Sequence, residues 1–413
     1  MKNILLVGGY DPTNGAGITQ DIKTVKLLGE NPLSVITSII PQNNLKVYSK
    51  MDIPKNELLN QFKSIFDEYN IDVVKTGVLT VDAIDILLKY YKKYKFKIVC
   101  DPVLKSTTNY NFSNDELLNK YGELFKISYI ITPNREEYNI ISNIIKTDNV
   151  KYTLITGTDD NLYHYGNKIY TFKGYKIDKE VHGTGCVFSS SIGTFLCKGY
   201  DIVESVKKSK DVVLHSIIYS TKTKYGYNCN PTYITKDEVI KNLHTALYHL
   251  KKMDNFHKLI PEVGSNIAES LPLPKDYRDI AALSGRIIKN KLKDSFYIVG
   301  EVEFGTSKHI SNIILSASKH DPKIRSCINI KYSENILYHI KDIFKVSSFN
   351  RKDEPPNVSS MEWGTDFACK TFGGVPDIIY DKGDVGKEPM IRILGENSLD
   401  VVKKVKEICK LIN

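Results

Sequence analysis

Short apolar runs alternate with amphipathic stretches along the first 225 residues of the chain. The apolar runs predict strands at residues 4–7, 34–39, 73–76, 97–100, 129–132 and 153–156. The stretches between them predict helices at residues 16–28, 55–69, 81–94 and 136–145. This alternation is typical of an α/β fold with a mostly parallel sheet that is flanked by helices on both faces. Ligands on such sheets bind at the carboxyl ends of the strands.

A second, mixed α/β pattern follows. Helices predicted at 185–198 and 202–219 close the first part, and the polar stretch 223–232 is typical of a linker. A helix is then predicted at 236–252, strands at 296–302, 326–330, 377–380 and 390–394, and a last helix at 399–411. We therefore predict a first domain at residues 1–222, a linker at 223–235 and a second domain at 236–413.

Length and composition agree with a two-domain globular protein of the cytoplasm. A chain of 413 residues exceeds what one core usually serves. Its longest apolar runs are far shorter than the roughly 20 residues that span a bilayer, so no membrane association is expected. The apolar start runs directly into a glycine-rich loop, which predicts a first strand and no targeting segment. The seven cysteines are widely spaced and form no C-x-x-C, which predicts reduced thiols.

The net charge of +9 has two interpretations, a lysine-rich solvated surface or attraction of phosphorylated substrates. We find no clustered basic stripe or recognition helix, so no nucleic-acid partner is expected. The arginines are unevenly distributed, since five of the six lie in the last third of the chain. Their planar forks suit anionic ligands, but exposed ion pairs would explain them equally well.

Two glycine-rich segments follow predicted strands and open predicted helices. Residues 8–18 match neither G-x-G-x-x-G nor a P-loop, so they indicate either a tight turn or close approach to a ligand. In His182-Gly183-Thr184-Gly185-Cys186 the backbone amides and helix dipole suit a phosphate in transfer. The dipole also predicts a lowered pKa for Cys186, which would then act as a base toward a substrate hydroxyl. The alternative is a glycine helix start with a buried cysteine.

Polar side chains follow two further predicted strands. Asp101 lies in Cys-Asp-Pro-Val, and Glu137 ends Thr-Pro-Asn-Arg-Glu-Glu. Either carboxylate could hold Mg²⁺ directly or through water, as phosphoryl transfer requires. Each could instead cap a loop.

Taken in order, these segments resemble the hydroxymethylpyrimidine and phosphomethylpyrimidine kinases of the ribokinase-like fold. The matching motifs are G-x-D-P-x-x-G-A-G-I-x-x-D-I-K-T (9–24), S-x-I-P-Q-N (38–43), K-x-G-V-L (75–79), D-P-V (101–103), T-P-N-x-x-E (132–137) and H-G-T-G-C (182–186). They cover roughly residues 1–222. The resemblance implies a pyrimidine pocket lined by Gly9, Asp11 and Gln42, with Cys186 as base. It also implies phosphate and ATP binding by Gly183, Thr184, Gly185 and Asn134, and Mg²⁺ at Asp101 and Glu137.

Three departures from that family pattern all lie on the nucleotide side. The stretch after T-P-N-x-x-E is shortened, residues 155–159 replace V-K-G-G-H and lose its lysine, and Lys105-Ser106-Thr107 replaces a Ser-Gly. Pyrimidine binding is therefore better supported by the sequence than kinase activity.

The second half carries separate candidates for anion and metal binding. The segment Gly305-Thr306-Ser307 precedes a predicted helix that carries His309, and backbone amides in such a segment can bind an anion. Arg286, His309 and Arg351 could meet a pyrophosphate, and Asp377, Asp381 and Glu388 could bind Mg²⁺. Considered one at a time, each of these residues is more often structural.

As a set, the motifs of the second half resemble the archaeal-type thiamine phosphate synthase domain. They are I-P-E-V-G-x-N-I, G-R-I, F-G-x-S-x-H, N-R-x-x-E-P, P-D-x-I-Y-D-x-G and G-K-E-P, over roughly residues 236–413. That family joins hydroxymethylpyrimidine diphosphate to thiazole phosphate and releases pyrophosphate. The resemblance implies catalysis by Arg286 and His309, and diphosphate binding by Arg351, Ser307 and Lys387. A positively charged His309, arginine and Mg²⁺ would stabilise the departing charge.

The sequence thus predicts a bifunctional enzyme of thiamine biosynthesis. Its expected substrates are hydroxymethylpyrimidine and its phosphates, thiazole phosphate and ATP, with Mg²⁺ as cofactor. Two alternatives stay open: a degenerate kinase half that only binds pyrimidine beside an active synthase, and a non-enzymatic ligand sensor. The sequence leaves the oligomeric state open, and a homo-oligomer is compatible with it.

Overall fold

The computed structural model describes residues 1–174, 177, 179–290, 292–356 and 358–412. The chain divides into two compact units, Met1–Tyr233 and Ile234–Asn413. Among the described residues, no helix combines the length and apolar character needed to cross a membrane. The seven cysteines are free thiols.

The described residues of the first unit form a nine-stranded sheet. Its strands are β1 (Asn3–Tyr10), β2 (Asn31–Ile39), β3 (Met51–Asp52), β4 (Val73–Thr76), β5 (Lys97–Cys100), β6 (Ile130–Ile131), β7 (Tyr152–Ile155), β8 (Asp160–His164) and β9 (Asn167–Phe172). They are arranged in the order β3-β2-β1-β4-β5-β6-β7-β8-β9. The six central neighbours in this order, β2, β1, β4, β5, β6 and β7, pair in parallel. Strand β3 pairs antiparallel at one edge of the sheet, and β8 and β9 pair antiparallel at the other. The predicted mostly parallel sheet is confirmed.

Helices cover both faces of this sheet. They are α1 (Gly17–Leu27), α2 (Lys55–Phe66), α3 (Val81–Tyr94), α4 (Asp115–Ile127), α5 (Arg135–Ile141), α6 (Thr184–Lys198) and α7 (Ile202–Ile218). Leu5 and Val7 of β1 share a core with α2, α3 and α4. Ile4 and Leu6 share the opposite core with α1, α6 and α7. Since successive strand residues point to opposite faces, a strand that is buried on both sides is apolar throughout.

Some elements of the first unit were not predicted. Helix α4 is amphipathic, with Asn114 as its N-cap and four buried side chains on one face. Strands β8 and β9 form a hairpin that carries many polar residues, so the run lacks the apolar signal of the central strands. Helix α5 ends at Ile141, four residues before the predicted end.

The predicted linker at 223–235 is largely part of the first unit. Strands β10 (Thr221–Thr223) and β11 (Gly226–Asn228) pair as a hairpin within it. The His182 amide donates to the carbonyl of Tyr227 at 2.9 Å, and the Cys229 amide donates to the carbonyl of His182 at 2.8 Å. The polar stretch therefore supports the loop before α6. Its composition alone does not predict this role.

The second unit is the predicted mixed α/β structure. Its strands are β12 (Ile267–Ser270), β13 (Ile280–Leu283), β14 (Ile287–Lys289), β15 (Phe296–Ile298), β16 (Val302–Phe304), β17 (Ser326–Lys331), β18 (Val346–Ser348), β19 (Ile378–Asp381) and β20 (Met390–Gly395). Its helices are α8 (Lys236–Lys251), α9 (Lys308–His320), α10 (Glu334–Ile340), α11 (Ser360–Phe372) and α12 (Ser398–Leu411).

Seven of these strands form the central sheet, in the order β16-β13-β12-β17-β20-β19-β18. Only β18 and β19 pair in parallel among the described strands of this sheet. Helices α9 and α11 bury their apolar faces in one core against it. The strand predicted at 296–302 is two strands, since Gly300 adopts a φ of +88° between them.

Candidate active sites

The first glycine-rich loop of the first unit is folded around Asp11. Its carboxylate accepts from the Thr13 amide at 2.9 Å, the Thr13 hydroxyl at 2.8 Å and the Ala16 amide at 3.0 Å. These bonds are among the causes that lower the pKa of Asp11 although its burial acts to raise it. Asp11 therefore shapes the loop as well as lining the cavity beside it.

The second glycine-rich loop lies against the first. Gly183 has a φ of +90°, and a Cβ at this position would stand 2.0 Å from the carbonyl oxygen of Gly15. Only glycine satisfies both conditions. His182 Nδ1 lies 3.0 Å from the Thr107 hydroxyl, so this loop also meets the segment after β5. Gly185 has open space beside it, where a ligand can approach its backbone.

A cavity of about 320 Å³ lies where these loops meet the ends of the strands. It is lined by all ten residues that the sequence assigned to the kinase half: Gly9, Asp11, Gln42, Asp101, Asn134, Glu137, Gly183, Thr184, Gly185 and Cys186. Six of them lie at or just after the ends of strands, as expected for a sheet of this topology, and residues 183–186 lie at the start of α6. The geometry brings together both the predicted pyrimidine residues and the predicted phosphate and metal residues.

The predicted lowering of the Cys186 pKa is wrong. Burial raises the pKa of the thiol to about 12, although the nearby charge of Lys75 opposes this rise. The helix start at Thr184 does not compensate, because the thiol lies among protein atoms and beside the acidic Asp21 and Asp101.

A buried ion pair beside Cys186 was missed as a functional feature. Lys75 Nζ donates to both carboxylate oxygens of Asp21 at 2.9 Å, and Asp21 also accepts from the Ser190 hydroxyl at 2.7 Å. Burial alone would lower the pKa of Lys75, but the charges of Asp21, Cys186 and Asp101 raise it. Lys75 belongs to the motif K-x-G-V-L and Asp21 to the motif D-I-K-T. The two residues are far apart in the sequence, so the motifs alone do not predict that they form an ion pair.

Asp101 and Glu137 are suited to a divalent cation. Burial raises the pKa of Asp101 to about 6 and that of Glu137 to about 7, and the charge of Asp101 adds to the rise at Glu137. A cation between such carboxylates would relieve both effects. No cluster of three or more potential metal-binding side chains occurs among the described residues. Two carboxylates agree with Mg²⁺, which keeps several waters and binds substrate phosphates.

Part of this metal-side geometry is also structural. Glu137 Oε2 accepts from the Asn134 amide, and Asn134 Oδ1 accepts from the Glu137 amide, both at 2.9 Å. This reciprocal pair caps α5. The loop-cap alternative therefore holds for Glu137 and Asn134 at the same time as their position in the cavity.

Two further cavities adjoin the first. One, of about 510 Å³, has the apolar side chains of Phe188, Val213, Leu214 and Ile217 together with Lys210. The other, of about 610 Å³, includes Arg135 and the segment 156–158. Thr156 lines all three, so they meet at the carboxyl end of β7.

In the second unit, the candidate residues gather at the start of α9. Gly305 has a φ of +80°, and the Thr306 hydroxyl bonds to the carbonyls of Ala282 and Glu303 at 3.2 Å each. Ser307 occupies the N-cap position and His309 lies in the first turn. Arg286 follows β13 and donates from Nη1 to the carbonyl of Val263 at 2.9 Å.

Two arginines share one carboxylate close to His309. Arg351 Nε donates to Asp381 Oδ1 at 2.6 Å, and Arg392 Nη2 donates to Asp381 Oδ2 at 2.7 Å. Asp381 and Arg392 are fully buried. Arg392 was not assigned a role from the sequence, where it lies inside an apolar strand run without a motif of its own.

A positively charged His309 is not supported. Although His309 is exposed by its accessible surface, desolvation by the nearby protein lowers its pKa to about 4, and the charges of Arg392, Arg351 and Arg286 add to this effect. The imidazole is therefore neutral near pH 7, and it offers one N–H donor.

The predicted magnesium ligands of the second unit do not converge. Asp381 is bound by the two arginines, and Asp377 pairs with Lys404 at 2.7 Å at the opposite end of β19. Glu388 accepts from the Glu262 and Val263 amides. Lys387, which was predicted to bind diphosphate, lies 3.5 Å from Glu354 in an ion pair whose lysine is exposed and whose carboxylate is partly buried.

Comparisons with known proteins match each unit separately. The phosphomethylpyrimidine kinase family matches residues 11–232, and the thiamine-phosphate synthase ThiN family matches residues 242–407. The ADP complex of Bacillus subtilis pyridoxal kinase is 26% identical with a TM-score of 0.50, and the match covers 56% of this chain and 97% of that one.

Curated relatives match one or both units. Thiamine-phosphate synthase ThiN of Methanothermobacter thermautotrophicus is 33% identical over 177 residues, 41% of this chain and 92% of that protein. Bifunctional thiamine biosynthesis protein ThiDN of Methanocaldococcus jannaschii is 60% identical over 415 residues, 99% of each chain. These findings support the predicted bifunctional enzyme over both alternatives. The chain belongs to the bifunctional ThiDN family of thiamine biosynthesis proteins, and joins a phosphomethylpyrimidine kinase domain to a thiamine-phosphate synthase domain.

Proposed function

We propose that the first unit uses Mg²⁺ and ATP to phosphorylate hydroxymethylpyrimidine and then its phosphate. The second unit condenses the resulting diphosphate with thiazole phosphate. The observation that carries the proposal is the single cavity lined by the residues for pyrimidine, phosphate and metal. The seven free thiols favour a reducing compartment, and we propose the cytoplasm.

The pyrimidine binds between the first glycine-rich loop and Gln42. Gly9, Ile40 and Val78 line this part of the cavity and give the ring an apolar surface. The Gln42 amide offers a donor and an acceptor to the ring nitrogen and the amino group. Ring orientation then sets the hydroxyl toward Cys186.

ATP occupies the adjoining cavities, with its base on the apolar surface of Val213, Leu214 and Ile217. The γ-phosphoryl group lies at the backbone of Gly183–Gly185, where amides and the start of α6 favour an anion. Asp101 and Glu137 would hold Mg²⁺, and the ion would supply positive charge beside the transferred group.

Cys186 receives the proton of the attacking hydroxyl. The oxygen forms the new bond to phosphorus, the bond from phosphorus to the bridging oxygen breaks, and ADP leaves. Only the thiolate can accept this proton, so the Cys186 thiol must first lose its own proton to solvent, and it becomes a neutral thiol again in the transfer. Lys75 assists, because its buried charge favours the thiolate.

In the second unit the bond from the exocyclic pyrimidine carbon to the diphosphate oxygen breaks, and its electron pair leaves with pyrophosphate. The thiazole nitrogen gives its lone pair to that carbon. Arg286 and Arg351 stabilise the departing charge, and neutral His309 donates a hydrogen bond to it. Ser307 and Lys387 complete the diphosphate site.

One assay tests both steps. Purified protein receives Mg-ATP, hydroxymethylpyrimidine and thiazole phosphate, and product masses are recorded. Thiamine phosphate from the free alcohol supports both activities, whereas product only from supplied diphosphate overturns the kinase assignment. Cys186→Ala should stop phosphorylation and spare condensation, and His309→Ala should do the reverse. Loss of both steps in either folded variant would contradict these assignments.

A further inference from the structure

Arg135 stands apart from the other arginines of the chain. The remaining five lie at residue 278 or later, so Arg135 is the one arginine in the sequence of the first unit. It is the first residue of α5, and its side chain is exposed. The other cationic side chains of this unit, apart from histidines, are lysines. A guanidinium differs from them in its planar fork of donors, which suits a carboxylate or a phosphate group.

Arg135 lines one of the three adjoining cavities of the first unit. Arg135 lines the cavity of about 610 Å³, together with Asn134 and Glu137, which also line the cavity of Cys186. Thr156 is common to these two and to the cavity with the apolar floor. The cavity with the apolar floor itself extends to Gly185, and it shares residues 156–158 with the cavity of Arg135, so a ligand on that floor is separated from Arg135 only by this segment.

The charge of Arg135 is free to meet such a ligand. Its Nε lies 3.5 Å from the place where a Cβ on Gly157 would stand, so the guanidinium packs over this glycine. Within the part of the chain that the structure describes, no carboxylate pairs with it. The neighbouring cation Lys210 is instead paired with Asp160. The intervening segment, residues 155–159, contains no cation of its own.

We infer that Arg135 binds the polyphosphate chain of the nucleoside triphosphate. This rests on the proposed kinase function of the first unit. The planar fork can donate two parallel hydrogen bonds to phosphate oxygens, which lysine cannot do. Arg135 thereby supplies the positive charge that residues 155–159 lack, and fixes the nucleotide between its base and the Gly183–Gly185 backbone.

The test compares Arg135→Ala, Arg135→Lys and a control, Lys63→Ala, in the full chain. Lys63 is exposed on α2 and lines none of the three cavities. The Michaelis constants for ATP and for hydroxymethylpyrimidine phosphate are measured, and thermal unfolding checks that the first unit is folded in each variant. We expect Arg135→Ala to raise the constant for ATP roughly 10- to 100-fold. Arg135→Lys should recover part of this loss, and Lys63→Ala should resemble the unmodified protein.

An unchanged constant for ATP in Arg135→Ala would overturn the inference and move the contact to Lys105, which lines two of the cavities. A rise confined to the pyrimidine phosphate would also overturn it, since Arg135 would then hold the acceptor. If the unmodified protein transferred no phosphate from ATP, the kinase proposal itself would fail, whatever Arg135 does.

Discussion

Arg392 Nη2 lies 2.7 Å from Asp381 Oδ2, and both side chains are fully buried. The same carboxylate also receives Arg351 Nε at 2.6 Å. The two guanidiniums carry two positive charges and the carboxylate carries one negative charge. This cluster therefore keeps one excess positive charge near His309. Charge of this kind attracts a diphosphate and disfavours protonation of the neighbouring imidazole.

We expect Asp381→Asn to destabilise the second unit and to abolish condensation. Removing one partner of a buried pair costs roughly 3–5 kcal/mol, and here two guanidiniums lose their carboxylate. Trp363, the single tryptophan, packs against Phe349, whose ring faces Arg392, so its fluorescence reports urea unfolding of this unit. Asp276→Asn, which breaks the exposed pair with Arg278, is the control and should change little. Unfolding midpoints that matched in the two variants would contradict this prediction.

Lys75→Met should eliminate phosphorylation and leave condensation intact. The substitution leaves Asp21 buried without its cation, which costs roughly 3–5 kcal/mol in the first unit. It also removes the charge that favours the Cys186 thiolate. Lys55→Met, which breaks the exposed pair with Asp82, serves as control. Both reaction rates and thermal unfolding are measured, and retained kinase activity in Lys75→Met would refute the role of the pair.

The two activities should differ in their pH dependence. Because the pKa values of Asp101 and Glu137 are raised to about 6 and about 7, both carboxyls keep their protons to higher pH than usual. Kinase kcat/KM should therefore rise from about pH 5 to pH 8 as the metal-binding carboxylates form, and should continue to rise above pH 8 because the Cys186 thiol ionises only toward its pKa of about 12. With a pKa of about 4, His309 stays neutral throughout, so condensation should show no step from this residue. A kinase profile that falls over this range would exclude the metal role.

Gly183→Ala should abolish phosphorylation, because a Cβ would stand 2.0 Å from the carbonyl oxygen of Gly15. The loop must shift, and a displacement of about 1 Å can cost roughly 100-fold in rate. Gly199, at the other end of α6, has a similar φ of +97° but no atom within 4 Å of its Cβ position. Gly199→Ala carries the same backbone strain without the clash and should keep most kinase activity. Equal losses in both variants would show that strain alone is responsible.

In the first unit, the sequence predicted the strands whose two faces are both buried. The apolar run at 4–7 is continuous because Ile4 and Leu6 face one core while Leu5 and Val7 face the other. The hairpin of β8 and β9 lies at an edge of the sheet, and its mixed composition hid it.

The candidate site was predictable as a set of residues, because most of its motifs follow parallel strands whose carboxyl ends meet at one edge of the sheet, while residues 182–186 join them from the start of α6. Its electrostatics were not. The pKa of Cys186 depends on burial and on Lys75, Asp21 and Asp101, which are distant in sequence. In the same way, neutral His309 follows from arginines that different strands and loops bring together.

The hairpin of β10 and β11 has a consequence for the order of synthesis. It holds His182 through backbone bonds from Tyr227 and Cys229, at the very end of the first unit. As the chain leaves the ribosome, the loop that carries Gly183 gains this support only after residue 229 has emerged. We therefore expect the kinase unit to become active just before the synthase unit begins to fold. If the gene were divided into two, we expect kinase activity to be retained only when the division falls after residue 233.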